Sequence, residues 1–258
     1  MEYLFSRDFL HKRLIKHKKI LLVLDFDGTL SPIVRKPHHA RMSPQFRTAL
    51  LKLKRLENVY VAIISGRPIA SLKSLINLDF AYYGGNHGIE IKGQGINFLC
   101  REVENNKKLL FKNYKYLKTV FGGMSGIIIE NKGFSMALHY RCLKPEYKNE
   151  FKSRILRIKK EFSALPILWK KGHKVMELLP RTSCNKGTAL QYLIDHFKNV
   201  YPIAIGDDDT DEDMFKVLKR GGMGIRVKRK KNSHAQFYLK SQREVLEVIK
   251  AVQSAEKI

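Results

Sequence analysis

The chain has 258 residues, 44% hydrophobic and 10% aromatic, a composition that fits a globular protein able to bury one large core or two modest ones. No apolar stretch approaches the roughly 20 residues of a bilayer span, and the first residues, MEYLFSRDFLHKRL, lack the apolar segment of a secretory signal, so neither a membrane nor an export route is expected. The formal charge of +25 would suit a nucleic-acid binder; the basic residues are spread out, however, with one dense run (RVKRKK, 226–231) and no zinc-finger or RNA-binding signature, which points to a solvated lysine-rich surface that attracts small anions and to no specific nucleic acid.

In chain order, KILLVLDFD (19–27) is the first near-continuous Val/Ile/Leu run, the pattern of a strand covered on both faces in a parallel sheet. MSPQFRTALLKLKRL then predicts a helix with Ser43 as N-cap and Pro44 in its first turn. A second apolar run, NVYVAIISGR, leads into a helix started by Pro68. From about residue 95 the pattern changes. Residues of about 95–118 and 145–162 read as helical, with two hairpins between and after them, turning at Asn131–Gly133 and at Gly172. NKGTAL opens another helix, and YPIAIGDDD is a third apolar run. TDEDMFKVLKRGG follows as a helix with Thr210 and Asp213 as its capping box. Strand, polar loop and helix, repeated, predict an α/β fold with a doubly wound parallel-sheet core at 1–94 and 177–258. A smaller α+β domain with an antiparallel sheet interrupts it at 95–176. Ligands of such sheets bind beyond the carboxyl ends of the strands, where the acidic clusters fall.

The first cluster is Asp25 and Asp27. Alternate residues of an extended strand point to one side, so both can reach one reacting centre, and Gly28 allows the sharp turn that follows. A carboxylate can act as nucleophile and form an aspartyl-phosphate, while the second carries protons. The second cluster is GDDDTDED (206–213). Acids at a helix start are favoured electrostatically, which accounts for Asp211 to Asp213 but not for Asp207, Asp208 and Asp209 in a row. A hard divalent cation would account for them, because oxygen ligands suit Mg²⁺. Ser65 of SGR, at a loop entering a helix, offers an anion seat, and Lys186 of NKG a mobile positive charge. Either alone could be a solvated turn; together with the acids they make a phosphoryl-transfer site. The cysteines Cys100, Cys142 and Cys184 form no CxxC pair, and their odd number suits packing residues in a reducing cytoplasm.

DFDGTL, SGR, NKG and GDDDTDED, in this order, resemble the four signature motifs of the haloacid-dehalogenase-like (HAD) phosphatase superfamily. More narrowly, LDFDGTLSPIVRKPHHARMS, YYGGNHGIEI, ENKGFSMALHYR, GHKVMELLP and IGDDDTDEDMFKVL resemble segments of the trehalose-6-phosphate phosphatases, from about residue 19 to about 250. The resemblance implies a Rossmann-like core with an inserted cap. It also implies Mg²⁺-dependent hydrolysis of trehalose 6-phosphate to trehalose and phosphate, the last step of trehalose biosynthesis, in the cytoplasm and with a trehalose-6-phosphate synthase as a partner. Carried over by position, Asp25 is the nucleophile and Asp27 the general acid and base. Mg²⁺ is held by the Asp25 carboxylate, the Asp27 backbone carbonyl and Asp207. Asp208 and Asp211 support the cation or position Lys186, and Ser65 and Lys186 bind the phosphoryl group. Glu130, Lys174 and Glu177 of the cap contact the sugar, and Arg67, Asn86 and His87 lie on the substrate side, although His87 equally suits a loop-packing histidine. RKPHHA (35–40) departs from the acidic residues of relatives and alters no catalytic position. Another sugar-phosphate phosphatase with this cap remains an alternative. So does a non-catalytic subunit of a trehalose-synthesising complex, against which the intact Asp25, Asp27, Lys186 and Asp207 argue.

Overall fold

Three runs of Val, Ile and Leu become neighbouring strands because each is covered on both sides. The computed structural model describes residues 1–6, 10–34, 37–104, 106–172 and 174–255; Arg35 and Lys36, the start of the basic departure after the first motif, lie outside them. The chain divides into two compact units, Met1–Phe98 with Cys184–Ile258, and Leu99–Ser183.

The larger unit begins with β1 (Glu2–Tyr3), α1 (Leu10–Leu14), β2 (Ile20–Leu24), α2 (Pro44–Leu53), β3 (Val59–Ile64), α3 (Ile69–Ile76), β4 (Tyr82–Gly85), β5 (Glu90–Gly93) and β6 (Ile96–Leu99). The smaller unit contains α4 (Arg101–Glu104), α5 (Lys107–Phe121), β7 (Ile128–Asn131), β8 (Met136–His139), α6 (Lys148–Glu161), β9 (Ile167–Gly172) and β10 (Val175–Pro180). The larger unit then resumes with α7 (Lys186–Phe197), β11 (Tyr201–Gly206), α8 (Glu212–Leu218), β12 (Met223–Val227), β13 (Phe237–Leu239) and α9 (Glu244–Ala255).

The large sheet has the order β1-β13-β12-β11-β2-β3-β4-β5-β6. β1 to β4 and β11 to β13 pair in parallel, and β5 runs antiparallel to β4. All five residues of β2 are buried, and they divide by parity. Leu22 and Leu24 join Val61, Ile63, Ile203 and Ile205 in one apolar layer, packed with α2, α3 and α9. Leu21 and Val23 join Ala62, Ile64 and Ala204 in the other, packed with α7 and α8. Burial on both faces is what removes the polar alternation from these strands.

The smaller sheet is antiparallel, in the order β7-β8-β10-β9. Met136, Leu138 and Leu178 face Leu110, Leu117 and Phe121 of α5 and Phe151, Ile155 and Ile158 of α6 in one core. Register puts Glu130 and Glu177 on either side of Ala137, so both acids share the face opposite the helices. The β7–β8 turn is closed as the sequence implies, with Gly133 N–H donating to Asn131 Oδ1 at 2.9 Å and φ of 83°.

Ser43 caps α2 as expected, accepting from Phe46 N–H at 3.3 Å, with Pro44 in the first turn. Three local expectations are corrected. Residues 96–99 form β6 rather than helix, because the turn at Gly95 (φ 72°) returns the chain along β5; residues 95–98 thus belong to the larger unit. The smaller unit extends to Ser183, because β10 runs to Pro180. The capping box is Asp208 with Asp211, not Thr210 with Asp213, since a 3₁₀ turn at Asp209–Asp211 precedes α8. The cysteines are corrected too: Cys100 and Cys184 are disulfide-bonded and Cys142 is an exposed thiol. Among the described residues no helix is long and apolar enough to cross a membrane.

Candidate active site

β2, β3 and β11 are parallel neighbours, so their carboxyl ends emerge side by side and carry Asp25, Ser65 and Asp207. Asp25 continues the ladder, its N–H donating to the Ile205 carbonyl at 2.9 Å, and Ser65 N–H donates likewise to Gly84. Lys186 enters from the first turn of α7, where the Asn185 side chain accepts from Gly187 and Thr188 N–H and Thr188 Oγ1 in turn accepts from Asn185 N–H. That reciprocal cap fixes the helix start, and with it the lysine stem.

The Lys186 ammonium is 2.7 Å from Asp25 Oδ1 and 2.6 Å from Asp211 Oδ1, all three side chains being 5% exposed or less. The second Asp211 oxygen accepts the Asp208 N–H at 2.9 Å, so both of its oxygens are engaged in positioning. Asp208 is exposed and caps Asp209 N–H at 2.7 Å. The two acids that the sequence could not separate therefore differ: Asp211 holds Lys186, and Asp208 shapes the loop.

One oxygen of Asp207, Oδ1, is buried without a hydrogen-bond partner among the described residues. Carboxylate oxygens of Asp25, Asp207 and Asp211 lie within 4.8 Å of one another. Three carboxylates against one ammonium leave excess negative charge where desolvation is severe. Burial, then repulsion from Asp211 and Asp208, pushes Asp207 up to about 7. Burial, with Asp211 and Asp207 adding to it against the pull of Lys186, raises Asp25 well above the usual carboxylate range. Burial would lower Lys186, but the Asp211 and Asp25 charges outweigh it and keep the ammonium protonated. An all-oxygen donor set with an orphaned carboxylate oxygen fits a hard divalent cation.

Gly28 makes this approach possible. Its φ is +91°, and a Cβ there would lie 2.1 Å from Asp207 Oδ2. Asp27, past the strand end, is gripped by the Arg67 fork, Nε to Oδ2 and Nη2 to Oδ1, each at 2.6 Å. The same guanidinium lies 5.2 Å from the Phe26 ring centroid. Asn86 is fully buried and its Nδ2 donates to Glu90 Oε1 at 2.9 Å, an oxygen that also accepts from Ile69 N–H at the start of α3. His87 N–H donates to the Ser65 carbonyl at 2.9 Å, and a Cβ on Gly66 would lie 2.6 Å from its ring. Asn86 and His87 thus brace the SGR loop.

The smaller unit brings together two of its three expected residues. His139 Nε2 is 3.0 Å from Glu130 Oε2, and Lys132 Nζ donates to Glu177 Oε1 at 2.6 Å. Lys174 is exposed immediately before β10 with φ of 60°, and its carbonyl accepts the Tyr140 N–H at 3.0 Å. Sequence reasoning missed Lys132, although it stands two residues after Glu130 in ENKG. It also missed Arg226, the one charge inside the apolar strand MGIRV.

Three outcomes follow from this geometry. Asp207 titrates near 3.8 when unfolded and about 7 when folded, so the metal-free fold holds an extra proton between those values. Its contribution to stability is full below about 3.8 and is lost as pH rises through about 7. Thermal melts in chelator should therefore fall across that window relative to Asp207→Asn. A divalent cation that binds these carboxylates should raise Tm more at about pH 8 than at about pH 5. Gly28→Ala should displace the Asp207 carboxylate and lower kcat by about 100-fold or more while circular dichroism stays native.

The chain matches the family model described as trehalose-phosphatase over residues 23–243. It is 35% identical over 243 residues to probable trehalose-phosphate phosphatase 4 of Oryza sativa subsp. japonica, covering 90% of this chain and 65% of that protein. To probable trehalose-phosphate phosphatase E of Arabidopsis thaliana it is 35% identical over 256 residues, covering 93% and 71%. The chain thus spans about two thirds of the length of these curated relatives. In fold it is similar to the C-terminal domain of C. albicans trehalose-6-phosphate phosphatase, with a TM-score of 0.77, 24% identity and 98% of each chain covered. By this match, which takes in all three apolar strand ends and the acidic loop, the chain belongs to the trehalose-phosphatase family of phosphoric monoester hydrolases.

Proposed function

We propose that this chain hydrolyses trehalose 6-phosphate to trehalose and phosphate with Mg²⁺ as cofactor. The observation that carries the reading is the buried ammonium of Lys186 between Asp25 and Asp211, beside the unpartnered oxygen of Asp207. That is a constellation for a phosphoryl group and a divalent cation together.

Asp25 attacks phosphorus as its carboxylate. The bond from phosphorus to the sugar oxygen breaks, and Asp27 gives a proton to the departing oxygen. In the second half Asp27 takes a proton from water, whose oxygen attacks the aspartyl-phosphate, releasing phosphate and restoring the Asp25 carboxylate. Lys186 and Ser65 hold the transferring oxygens throughout. A cation held by Asp25, Asp207 and the Asp27 carbonyl would neutralise charge on the phosphoryl group. The Arg67 fork orients the Asp27 carboxyl group at rest and holds it until a leaving group competes for it.

The polar face of the smaller sheet supports the sugar assignment. Glu130 and Glu177 offer acceptors for sugar hydroxyls, and Lys132 and His139 hold those carboxylates in place. Lys174, exposed near them in sequence, would add a donor. A site built on such bonds rejects analogues that leave its polar groups unpaired.

The test is phosphate release from a panel of sugar phosphates with and without Mg²⁺, in which trehalose 6-phosphate should be preferred and chelator should abolish turnover. Asp25→Asn should lose at least about 10⁴-fold in kcat, and Asp27→Asn about 10²- to 10⁴-fold. Glu130→Ala and Glu177→Ala should each cost about tenfold or more on trehalose 6-phosphate. Both should leave hydrolysis of a small aryl phosphate near the unmodified rate. Equal losses on the two substrates would place these acids in the general machinery instead.

A further inference from the structure

β12 is an apolar strand with one charge, Arg226, and its register sets that residue opposite Gly206, the residue from which the acidic loop departs. The arginine side chain is 7% exposed. A guanidinium enclosed to that degree is retained in a fold only with its donors met, and here its partners lie on one short segment, from Asp207 to Glu212. Nη2 donates to the Asp207 carbonyl at 2.5 Å. Nη1 donates to the Asp208 carbonyl at 2.9 Å and to Glu212 Oε1 at 2.8 Å. The other oxygen of Glu212 accepts the His234 N–H at 2.7 Å. The fork therefore spans the loop from its first two residues to the start of α8, and Glu212 is itself anchored from outside that loop.

The consequence concerns acids that otherwise repel one another. Asp207, Asp208, Asp209, Asp211, Glu212 and Asp213 fall within seven positions. Lys186 offsets Asp211 and Lys230 pairs with Asp209, but neither touches the backbone of Asp207. Arg226 does. By fixing two successive carbonyls it fixes the peptide between them, and thus the direction in which the Asp207 side chain leaves the chain.

The geometry points to Arg226 as the positioning residue of the divalent-cation site: it sets the Asp207 carboxylate beside Asp25 before a cation arrives, so that the ion meets a formed site. This rests on the cation reading of the same acids. Groups that orient a metal ligand in this way typically account for about 10- to 100-fold in metal affinity.

The experiment is calorimetric titration of the purified protein with Mg²⁺ alone, without substrate, for the unmodified chain, Arg226→Gln and Arg226→Lys. Metal-free Tm and steady-state kinetics accompany it. Arg226→Gln should raise the Mg²⁺ Kd about 10- to 100-fold. Its kcat should recover at saturating Mg²⁺ with little change in KM for the sugar phosphate. Arg226→Lys keeps the charge but loses the fork, and its Kd should fall between the two. An unmodified Kd in Arg226→Gln, even with a lowered metal-free Tm, would reduce Arg226 to a structural brace and overturn the proposal. Should Arg226→Gln not fold, Arg226→Lys decides alone, and an unshifted Kd there overturns it equally. Absence of Mg²⁺ binding to the unmodified chain is a different result, because it removes the cation reading itself.

Discussion

One buried ammonium makes the catalytic edge of the sheet possible. Asp25 stands at the end of a strand whose every residue is buried, and Asp211 has no exposed surface. Ionised carboxylates in such a place are costly unless paired. Lys186 pairs with both, and the local structure around it serves that contact. The cap on α7 fixes the stem, a ladder bond fixes Asp25, and the 3₁₀ turn closed by Asp208 fixes Asp211. The arrangement is not self-sufficient. One positive charge among three carboxylates leaves Asp207 uncompensated, a shortfall that a divalent cation would make good.

The smaller unit solves a different problem with the simplest property of a strand, the alternation of its side chains. One face of its sheet is committed to the helices, and the other is left for polar groups. The acids on that face are not bare. Glu130 has His139 and Glu177 has Lys132, so the surface carries hydrogen-bonding capacity without a large net negative charge. Under the proposed function that balance matters, because unpaired carboxylates would repel a phosphate ester.

Much of this was legible in the sequence. The three apolar runs could be read as parallel strands because two-sided burial leaves a continuous signature, and the catalytic candidates could be read because motif neighbours such as Asp25 and Asp27 stay neighbours in space. What was hidden depends on pairing between distant segments. Lys132, just past the end of β7, reaches Glu177 of β10 across 45 positions because β8 pairs with both strands, and no local pattern announces that. The helical reading of residues 96–99 failed because a four-residue strand at a sheet edge has too short a pattern to declare its period. The capping box was placed two residues late, since a run of acids offers several equivalent pairs and only the 3₁₀ turn selects one. Arg226 was visible as a charge within an apolar strand, but its importance lies in backbone carbonyls, which leave no trace in side-chain patterns.

The interruption of the larger unit has a consequence for how the protein comes into being. Asp25 and Lys186 are 161 positions apart, and the loop bearing Asp207 and Asp211 comes later still. A chain emerging from the ribosome presents β2 and β3 long before β11 exists to lie against β2, so the strand edge that will become the centre of the sheet waits exposed. The inserted segment has its own apolar core and can condense during that interval, as domains commonly do in synthesis. Once condensed, it shortens the effective loop that the last third of the chain must close. An insertion that condensed in this way would act during biogenesis as a spacer gathering the two halves of the sheet, a duty separate from recognition of any ligand.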